Sequence, residues 1–284
     1  LVLSACTSNS DTRVVTVADV GGNPDGVTVA DSGTIYITDI GSGDIKQVNE
    51  DGTSSVVANL GGTHPDGITS VPEGSSEILY VAETGTGTGD GLVVKIDPDT
   101  GTVTTFVDST LLDSPAGIAA DESGNLYVAD QGSGDVYKIE VDSEGAYVRI
   151  ESLTDGSGVD VEAPHGLTLV TNEDNSITLY TTDQGSNSNN IVQIDISTIG
   201  AVTVTELTPD NAGGTDTEDI TNAKFDDPHG ISTDKNGAIF VCDENNNRVQ
   251  IITPNGNVVT LAGNGTSGDA DGEAEDAQFN LPRG

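Results

Sequence analysis

All three histidines of the chain lie in or beside one repeated tripeptide, Pro-x-Gly. His165 and His229 occupy its middle position, and His64 directly precedes the copy Pro65-Asp66-Gly67. An imidazole can act as a general acid or base near neutral pH, and it is the commonest protein ligand of transition-metal ions. The gathering of all the histidines at one repeated position therefore indicates a shared site.

The middle position of the tripeptide recurs six times and varies in chemistry. In chain order it holds Asp25, Asp66, Ala116, His165, His229 and Arg283. Imidazoles and carboxylates that converge on one axis suit Zn²⁺ or another divalent ion such as Ca²⁺. The predicted metal ligands are His165, His229, His64, Asp66 and Asp25. The alternative interpretation is that these side chains fill a channel rim and hydrogen-bond to neighbouring loops.

The elements around each tripeptide follow one order. An innermost strand is followed by an aromatic and β-branched strand that ends in Asp or Glu, then by an alternating strand and an outer strand. In the third repeat these strands are predicted over 118–120, 125–130, 136–139 and 146–150. Successive tripeptides start at Pro24, Pro65, Pro115, Pro164, Pro228 and Pro282. Four short strands at this spacing are typical of β-propeller blades, with the tripeptides at the mouth of the central channel.

Two residues of the second strand carry separate predictions. An aromatic residue recurs at one register, as Tyr36, Tyr80, Tyr127, Tyr180 and Phe240. Its recurrence predicts core packing between neighbouring blades. The acid that ends the strand is predicted to accept hydrogen bonds from backbone amides of the loop that follows it.

The sequence resembles NHL repeats over residues 13–284. The strongest stretches are 225–231, 243–252 and the segment from Leu261 to Gly284. The resemblance implies an all-β, six-bladed β-propeller, of which this chain holds five full blades and a truncated sixth. A strand over 14–17 would supply the outer strand of the last blade, so we expect an open or imperfectly closed ring.

The Pro-His-Gly copies also resemble metal-ligand positions of peptidyl-hydroxyglycine amidating lyases, which are related propellers with a His-bound zinc. His165 and His229 match those positions, whereas His64 does not, and the other signature segments of the lyases are not recognisable. Streptogramin lyases, with a catalytic His and bound Mg²⁺, match no better. The resemblance implies a divalent-metal-dependent lyase or hydrolase as an alternative function. Whether the chain is an enzyme stays open.

Charge decides between classes of partner. The net charge is −38, with 47 acidic against 9 basic residues, which excludes a nucleic-acid binder that works through a basic patch. The acidity indicates either solubility in a saline or extracellular setting or a surface that gathers cations. Two long acidic segments, 207–227 and 264–281, are predicted to form a binding face for a protein, peptide or glycan. Their candidate residues are Asp216, Asp219, Asp227, Asp269 and Asp271.

The first residues of the chain indicate a cellular location. Leu1-Val2-Leu3-Ser4-Ala5-Cys6 resembles the end of a bacterial lipoprotein signal, in which the Cys is lipidated. We therefore expect residues 1–12 to be a signal remnant and tether, with Cys6 lipidated. The resulting expectation is a monomeric binding module at the cell envelope, in the outer membrane and periplasm or on the cell surface, held to the membrane only by its lipid. The alternative is that the segment is an arbitrary hydrophobic stub.

Overall fold

The protein is an all-β chain built from short antiparallel strands. The computed structural model describes residues 3–6, 12–74, 76–185, 189–208, 220 and 223–284. Five sheets have four strands each and pair their strands in chain order, from the innermost strand outwards. No helix among these described residues is long and apolar enough to cross a membrane.

The five blades have the following bounds. Blade one comprises β3 (Pro24–Val29), β4 (Ile35–Asp39), β5 (Asp44–Val48) and β6 (Ser54–Asn59), and blade two comprises β7 (Pro65–Glu73), β8 (Ser76–Glu83), β9 (Leu92–Asp97) and β10 (Thr102–Val107). Blade three comprises β11 (Pro115–Ala120), β12 (Leu126–Asp130), β13 (Asp135–Val141) and β14 (Tyr147–Ser152). Blade four comprises β15 (Pro164–Thr171), β16 (Ile177–Asp183), β17 (Asn190–Ile196) and β18 (Val202–Glu206). Blade five comprises β19 (Pro228–Thr233), β20 (Ile239–Asp243), β21 (Arg248–Ile252) and β22 (Val258–Ala262).

Innermost strands of successive blades contact one another, from β3 through β7, β11 and β15 to β19. The sheets are therefore arranged radially about an axis, as a β-propeller requires. Every innermost strand begins at the Pro of a tripeptide, and every second strand returns to the same end. We call this end the proline face.

The sixth blade expected from the sequence is not confirmed. Beside blade five lies a three-stranded sheet of β1 (Leu3–Cys6), β2 (Thr12–Val15) and β23 (Gly272–Glu273), in the order β1-β2-β23. The predicted strand over 14–17 thus corresponds to β2, and the predicted boundary at residue 13 falls within it. Val14 of β2 packs with Ala262 and Phe279, which attaches this sheet to blade five.

The core consists of apolar clusters between neighbouring blades. Tyr36, Tyr80 and Tyr127 each lie in such a cluster, and Tyr180 packs against a fourth. This confirms the predicted role of the recurring aromatic residue in four blades. Phe240 differs, because it lines the central cavity.

Glycine of the tripeptide is required by close backbone approach. A Cβ atom at Gly26, Gly67, Gly117, Gly166 or Gly230 would overlap the carbonyl oxygen of the middle residue in the next tripeptide. A Cβ atom at Gly284 would likewise overlap the carbonyl oxygen of Asp25. The six tripeptides therefore form one closed ring at the proline face, which we call the axial ring. The imperfect closure expected from the sequence is not found at this level.

Candidate functional site at the axial ring

Each tripeptide turns its middle residue out of the strand ladder. In all five innermost strands the register shifts between the Pro and the residue three positions later, for example between Pro164 and Leu167. Such an irregularity leaves residues unpaired and re-aims a side chain. The same local geometry, repeated round the axis, brings the middle residues together.

Two histidine–aspartate pairs occupy the ring. His165 Nε2 lies 3.4 Å from Asp66 Oδ2, and His229 Nε2 lies 3.6 Å from Asp25 Oδ1. The two imidazole rings are themselves in contact, with centroids 4.0 Å apart. Both histidines are more than nine-tenths buried, at 7% and 6% exposure. Ala116, the apolar member of the ring, is fully buried.

Arg283 joins the pairs to a residue from outside the tripeptides. Its Nη1 donates to Asp25 Oδ2 at 2.7 Å, and its Nε donates to Glu244 Oε1 at 3.2 Å. Glu244 Oε2 in turn lies 4.0 Å from His229 Nε2. Sequence reasoning missed Glu244, although it directly follows the acid that ends β20. Asp25, Asp66, His165, His229, Arg283 and Glu244 together are called the axial cluster below.

The two imidazoles are held in different charge states. Burial lowers the pKa of His165, but the neighbouring Asp66 carboxylate outweighs burial and raises the pKa above its usual value. Burial and the positive charge of His165 hold the pKa of His229 well below its usual value. At neutral pH His229 is therefore the neutral imidazole beside a His165 that favours its charged form.

The carboxyl groups divide in the same way. Burial and the nearby Asp66 raise the pKa of Asp25 to about 7, despite its bond to Arg283. Burial would also raise the pKa of Asp66, but His165 outweighs burial and lowers it. Burial raises the pKa of Glu244 and of Asp227, which is half-buried. Three carboxyl groups therefore carry less countercharge than their burial demands.

A cavity of about 740 Å³ runs along the axis and reaches this cluster. Asp25, Asp66, His165, His229 and Arg283 all line it. Its other walls come mainly from the innermost strands, such as Val27, Ile118 and Leu169. A concave, largely apolar space with a few convergent polar groups is the usual form of a small-molecule site.

The predicted metal-ligand set is only partly brought together. His165, His229, Asp25 and Asp66 meet at the axial ring, whereas His64 is exposed and is absent from the cavity wall. Within the described ranges, no three or more His, Cys, Asp or Glu side chains are disposed to hold a metal ion. Metal binding by these residues stays a prediction.

Three of the acids that end second strands, Asp39, Asp130 and Asp183, accept hydrogen bonds from backbone amides of the following loop, as predicted. Asp130 accepts hydrogen bonds from the backbone amides of Asp113, Ser114 and Gly132. Asp183 makes the same contacts with the amides that precede and follow it in blade four. In these blades the carboxylate therefore ties the segment before the tripeptide to the second strand and helps to position the axial ring.

The predicted binding-face residues differ in position and exposure. Asp216 and Asp219 lie outside the described residues. Asp227 lies half-buried next to the tripeptide of blade five, whereas Asp269 and Asp271 are exposed. Asp271 accepts hydrogen bonds from the backbone amide and the hydroxyl of Thr16, so it fastens a loop to the N-terminal segment.

The two cysteines, Cys6 and Cys242, lie in different parts of the fold. Cys242 lines the cavity, and burial together with Glu244 raises the pKa of its thiol to about 12, which makes it unreactive at neutral pH. The backbone of Cys6 ends β1.

The fold and the ring define the class, a β-propeller with a charged axial cluster. The family model of the NHL repeat matches residues 225–252, which span the first three strands of blade five. Blade five of this β-propeller therefore contains an NHL repeat, which confirms the repeat predicted from the sequence in this segment. Comparison with curated protein sequences gives no match.

Solved structures share the fold at low sequence identity. An auxiliary nutrient binding protein from Bacteroides thetaiotaomicron aligns with a TM-score of 0.71 and 16% identity, over 92% of this chain and 63% of that one. Virginiamycin B lyase from Staphylococcus aureus aligns with a TM-score of 0.53 and 18% identity, over 92% and 73%. A chain of a nidogen–laminin complex aligns with a TM-score of 0.59 and 17% identity, over 81% and 75%. This chain thus spans less than two thirds of the nutrient binding protein, and the likeness concerns the fold alone.

Proposed function

We propose that the chain is an extracytoplasmic binding module that takes a small polar ligand at the axial cluster, beneath the loops of the proline face. The observation that carries the proposal is the axial cavity of about 740 Å³ that ends in buried charged side chains. Buried charges cost stability unless they are paired, so a cluster kept beside an open cavity favours a role in recognition.

Two further features support binding. Similar folds include two auxiliary nutrient binding proteins from Bacteroides species. The described connection over 264–281 leads into the tripeptide that starts at Pro282, so it borders the entrance to the axial ring. Loops on a rigid scaffold are where binding residues concentrate.

A ligand panel tests this function. Wild-type protein is screened by thermal shift against amino acids, amines, sugars and short peptides, and each stabilising compound is then titrated against His165→Gln and Asp66→Asn. Loss of binding in both variants, with binding retained in His64→Gln, supports the axial cluster as the site. His64 is the matched control because it is exposed and away from the cavity. Ligands that bind equally to all variants would place the site elsewhere.

Attachment to the envelope is a separate part of the proposal. The small residues before Cys6 support lipidation of that cysteine. Expressed from its intact gene in a bacterial host, the protein should sediment with membranes, and Cys6→Ser should release it. Cys242→Ser is the matched control, because it removes the other cysteine and should leave fractionation unchanged. Equal membrane association of the wild type and Cys6→Ser would reject lipid anchoring.

A further inference from the structure

A second cleft opens on the proline face, between blades two and three. Its volume is about 470 Å³, which is within the usual range for a small-molecule site. Its walls are formed by Gly87, Thr88, Asp113, Ser114, Gln131 and Gly132. None of these residues lines the axial cavity or belongs to the axial cluster, so this interblade cleft is a separate place on the molecule.

One wall of the interblade cleft comes from an extended loop of blade two. The loop over 84–91, between β8 and β9, has eight residues, whereas the corresponding loops of blades one, three and five have four each. Asp90 closes this loop, because its carboxylate accepts hydrogen bonds from the amides of Thr86 and Gly87 at 3.1 and 3.0 Å. The loop therefore has a defined shape, which places Gly87 and the exposed Thr88 on the cleft wall.

Asp113 contributes a carboxylate that the backbone holds in place. Its amide donates to Asp130 Oδ2 at 2.8 Å, and its carbonyl oxygen accepts from the amide of Gly91 at 3.0 Å. Its Oδ1 accepts from the amide of Gly89. A Cβ atom at Gly132 would lie 2.7 Å from Asp113 Cγ, so the glycine leaves the space that this carboxyl group occupies. Its other oxygen, Oδ2, has no hydrogen-bond partner among the described residues.

Gln131 contributes an amide group on the blade-three side. Its backbone N–H donates to the carbonyl oxygen of Ser114 at 3.0 Å, which fixes the position of the residue. Its side-chain Nε2 lies 3.5 Å from Gln184 Oε1, at the long limit of a hydrogen bond. Its Oε1 has no partner in the described part of the chain. The cleft thus presents a carboxylate oxygen, an amide group and the hydroxyl groups of Ser114 and Thr88.

We propose that the interblade cleft binds a saccharide through two adjacent hydroxyl groups, with Asp113 and Gln131 as their hydrogen-bond partners. A carboxylate only accepts hydrogen bonds, whereas an amide and a hydroxyl group both donate and accept. Adjacent sugar hydroxyls supply the donors that Asp113 needs and both kinds of partner for Gln131. Gly87 and Gly132 have no side chains, so a sugar ring can approach the backbone closely. The inference is independent of the axial cluster and adds a second site to the protein.

Other ligand classes fit the cleft less well. None of its six lining residues has an aliphatic or aromatic side chain, so an apolar ligand would find no apolar surface to cover. A Ca²⁺ ion needs about six to eight oxygen ligands, several of them usually carboxylates. Asp113 is the one carboxylate on the cleft wall, and the described residues contain no group of three or more His, Cys, Asp or Glu disposed to hold a metal ion.

Backbone amide NMR of ¹⁵N-labelled protein provides the test, because Gly87, Gly89 and Gly132 report directly on the cleft. The probes are methyl glucoside, methyl galactoside and methyl mannoside, which present adjacent hydroxyls in different geometries. Tetrahydropyranylmethanol, which keeps the ring but has a single hydroxyl group, is the control compound. We expect at least one glycoside to shift the resonances of Gly87 and Gly132 to saturation, whereas tetrahydropyranylmethanol leaves them unchanged.

Two variants identify the binding groups. Asp113→Asn keeps an acceptor for Gly89 but removes the charge, and it should weaken glycoside binding by about tenfold. Gln131→Ala removes the amide group without touching the backbone bond to Ser114, and it should weaken binding by about fivefold. Asp99→Asn is the matched control, because Asp99 is exposed in the turn between β9 and β10, at the other end of blade two. Its affinity should equal that of wild type.

The outcomes separate this inference from the proposed function. If a glycoside binds and His165→Gln abolishes binding while Asp113→Asn does not, the sugar belongs to the axial cluster and the cleft inference is wrong. If no glycoside shifts Gly87, Gly89 or Gly132, the inference fails whatever binds at the axial cluster. If Ca²⁺ shifts these resonances and no glycoside does, the cleft is a cation site and the saccharide inference is overturned.

Discussion

Replacing Asp25 with Asn should change how the stability of the protein depends on pH. Burial and Asp66 raise the pKa of Asp25 from 3.8 to about 7 in the folded protein. The folded state therefore keeps a proton that the unfolded state releases between about pH 4 and pH 7, so this group makes stability fall as pH rises through that window. At 1.36 kcal/mol for each pKa unit, the fall amounts to about 4 kcal/mol.

Asp25→Asn removes this ionisation and keeps the shape of the side chain. Near pH 4 the two proteins differ little, because the aspartic acid is then protonated and neutral like the amide. At pH 8 the variant should have gained about 4 kcal/mol relative to wild type, compared with the difference at pH 4. Loss of Asp25 also lowers the pKa of His165, whose raised value likewise makes stability fall with rising pH, so both effects flatten the profile.

Urea unfolding at a series of pH values from 4 to 8 measures the effect. The control is Asp269→Asn, which changes an exposed loop carboxylate. Its profile should run parallel to that of wild type. The charged and titratable groups that act on Asp25, namely Asp66, His165, His229 and Arg283, are unchanged in every protein compared. Parallel stability profiles for wild type and Asp25→Asn would refute the conclusion that burial raises the pKa of the Asp25 carboxyl group.

Three further predictions concern the scaffold. Gly117→Ala places a Cβ against the carbonyl oxygen of His165 and should lower the free energy of unfolding by about 1–3 kcal/mol. The control Gly87→Ala, whose Cβ would have its nearest atom at 3.6 Å, should lower it by less than about 1 kcal/mol. Equal losses in the two variants would contradict the closed axial ring. Asp130→Ala leaves the half-buried amides of Asp113 and Ser114 without their acceptor and should lower the free energy of unfolding by about 2–4 kcal/mol. A loss below about 1 kcal/mol in chemical unfolding would show that these hydrogen bonds do not stabilise the fold. Burial opposes ionisation of Asp39, but Lys46 and backbone amides outweigh it and lower its pKa to about 2, so about 2 kcal/mol of stability present above pH 4 is lost as pH falls towards 2. Lys46→Met should weaken this acid dependence in unfolding experiments, and an unchanged acid limb would count against the ion pair.

The repeat made most of the fold predictable. Local patterns recur in register, so the strands of one blade define those of the others. The acids Asp39, Asp130 and Asp183, which end second strands, accept hydrogen bonds from the predicted loop amides. The expected sixth blade was not confirmed, because pairing of β1, β2 and β23 joins distant segments that no local pattern specifies. Phe240 also follows the aromatic pattern, yet it lines the cavity, which the local pattern does not indicate.

The site was predictable only where the repeat itself positions residues. Asp25, Asp66, His165 and His229 meet because one backbone irregularity is used five times. His64 is adjacent to a tripeptide in sequence, yet it lies before the Pro and remains exposed. Glu244 reaches the axial cluster from the loop after β20, and its approach depends on Arg283 from another segment. Contacts between separate segments of this kind leave no periodic signal in the sequence.

The titration of His165 and His229 tests the axial cluster most directly. Their imidazole nitrogen resonances, assigned with His165→Gln and His229→Gln, are followed between pH 4 and pH 9 in the free protein. We expect His165 to remain protonated above its ordinary pKa of 6.5 and His229 to remain neutral well below that pH. Two histidines that titrate together near pH 6.5 would contradict a buried cluster in which one charged and one neutral imidazole share the axis.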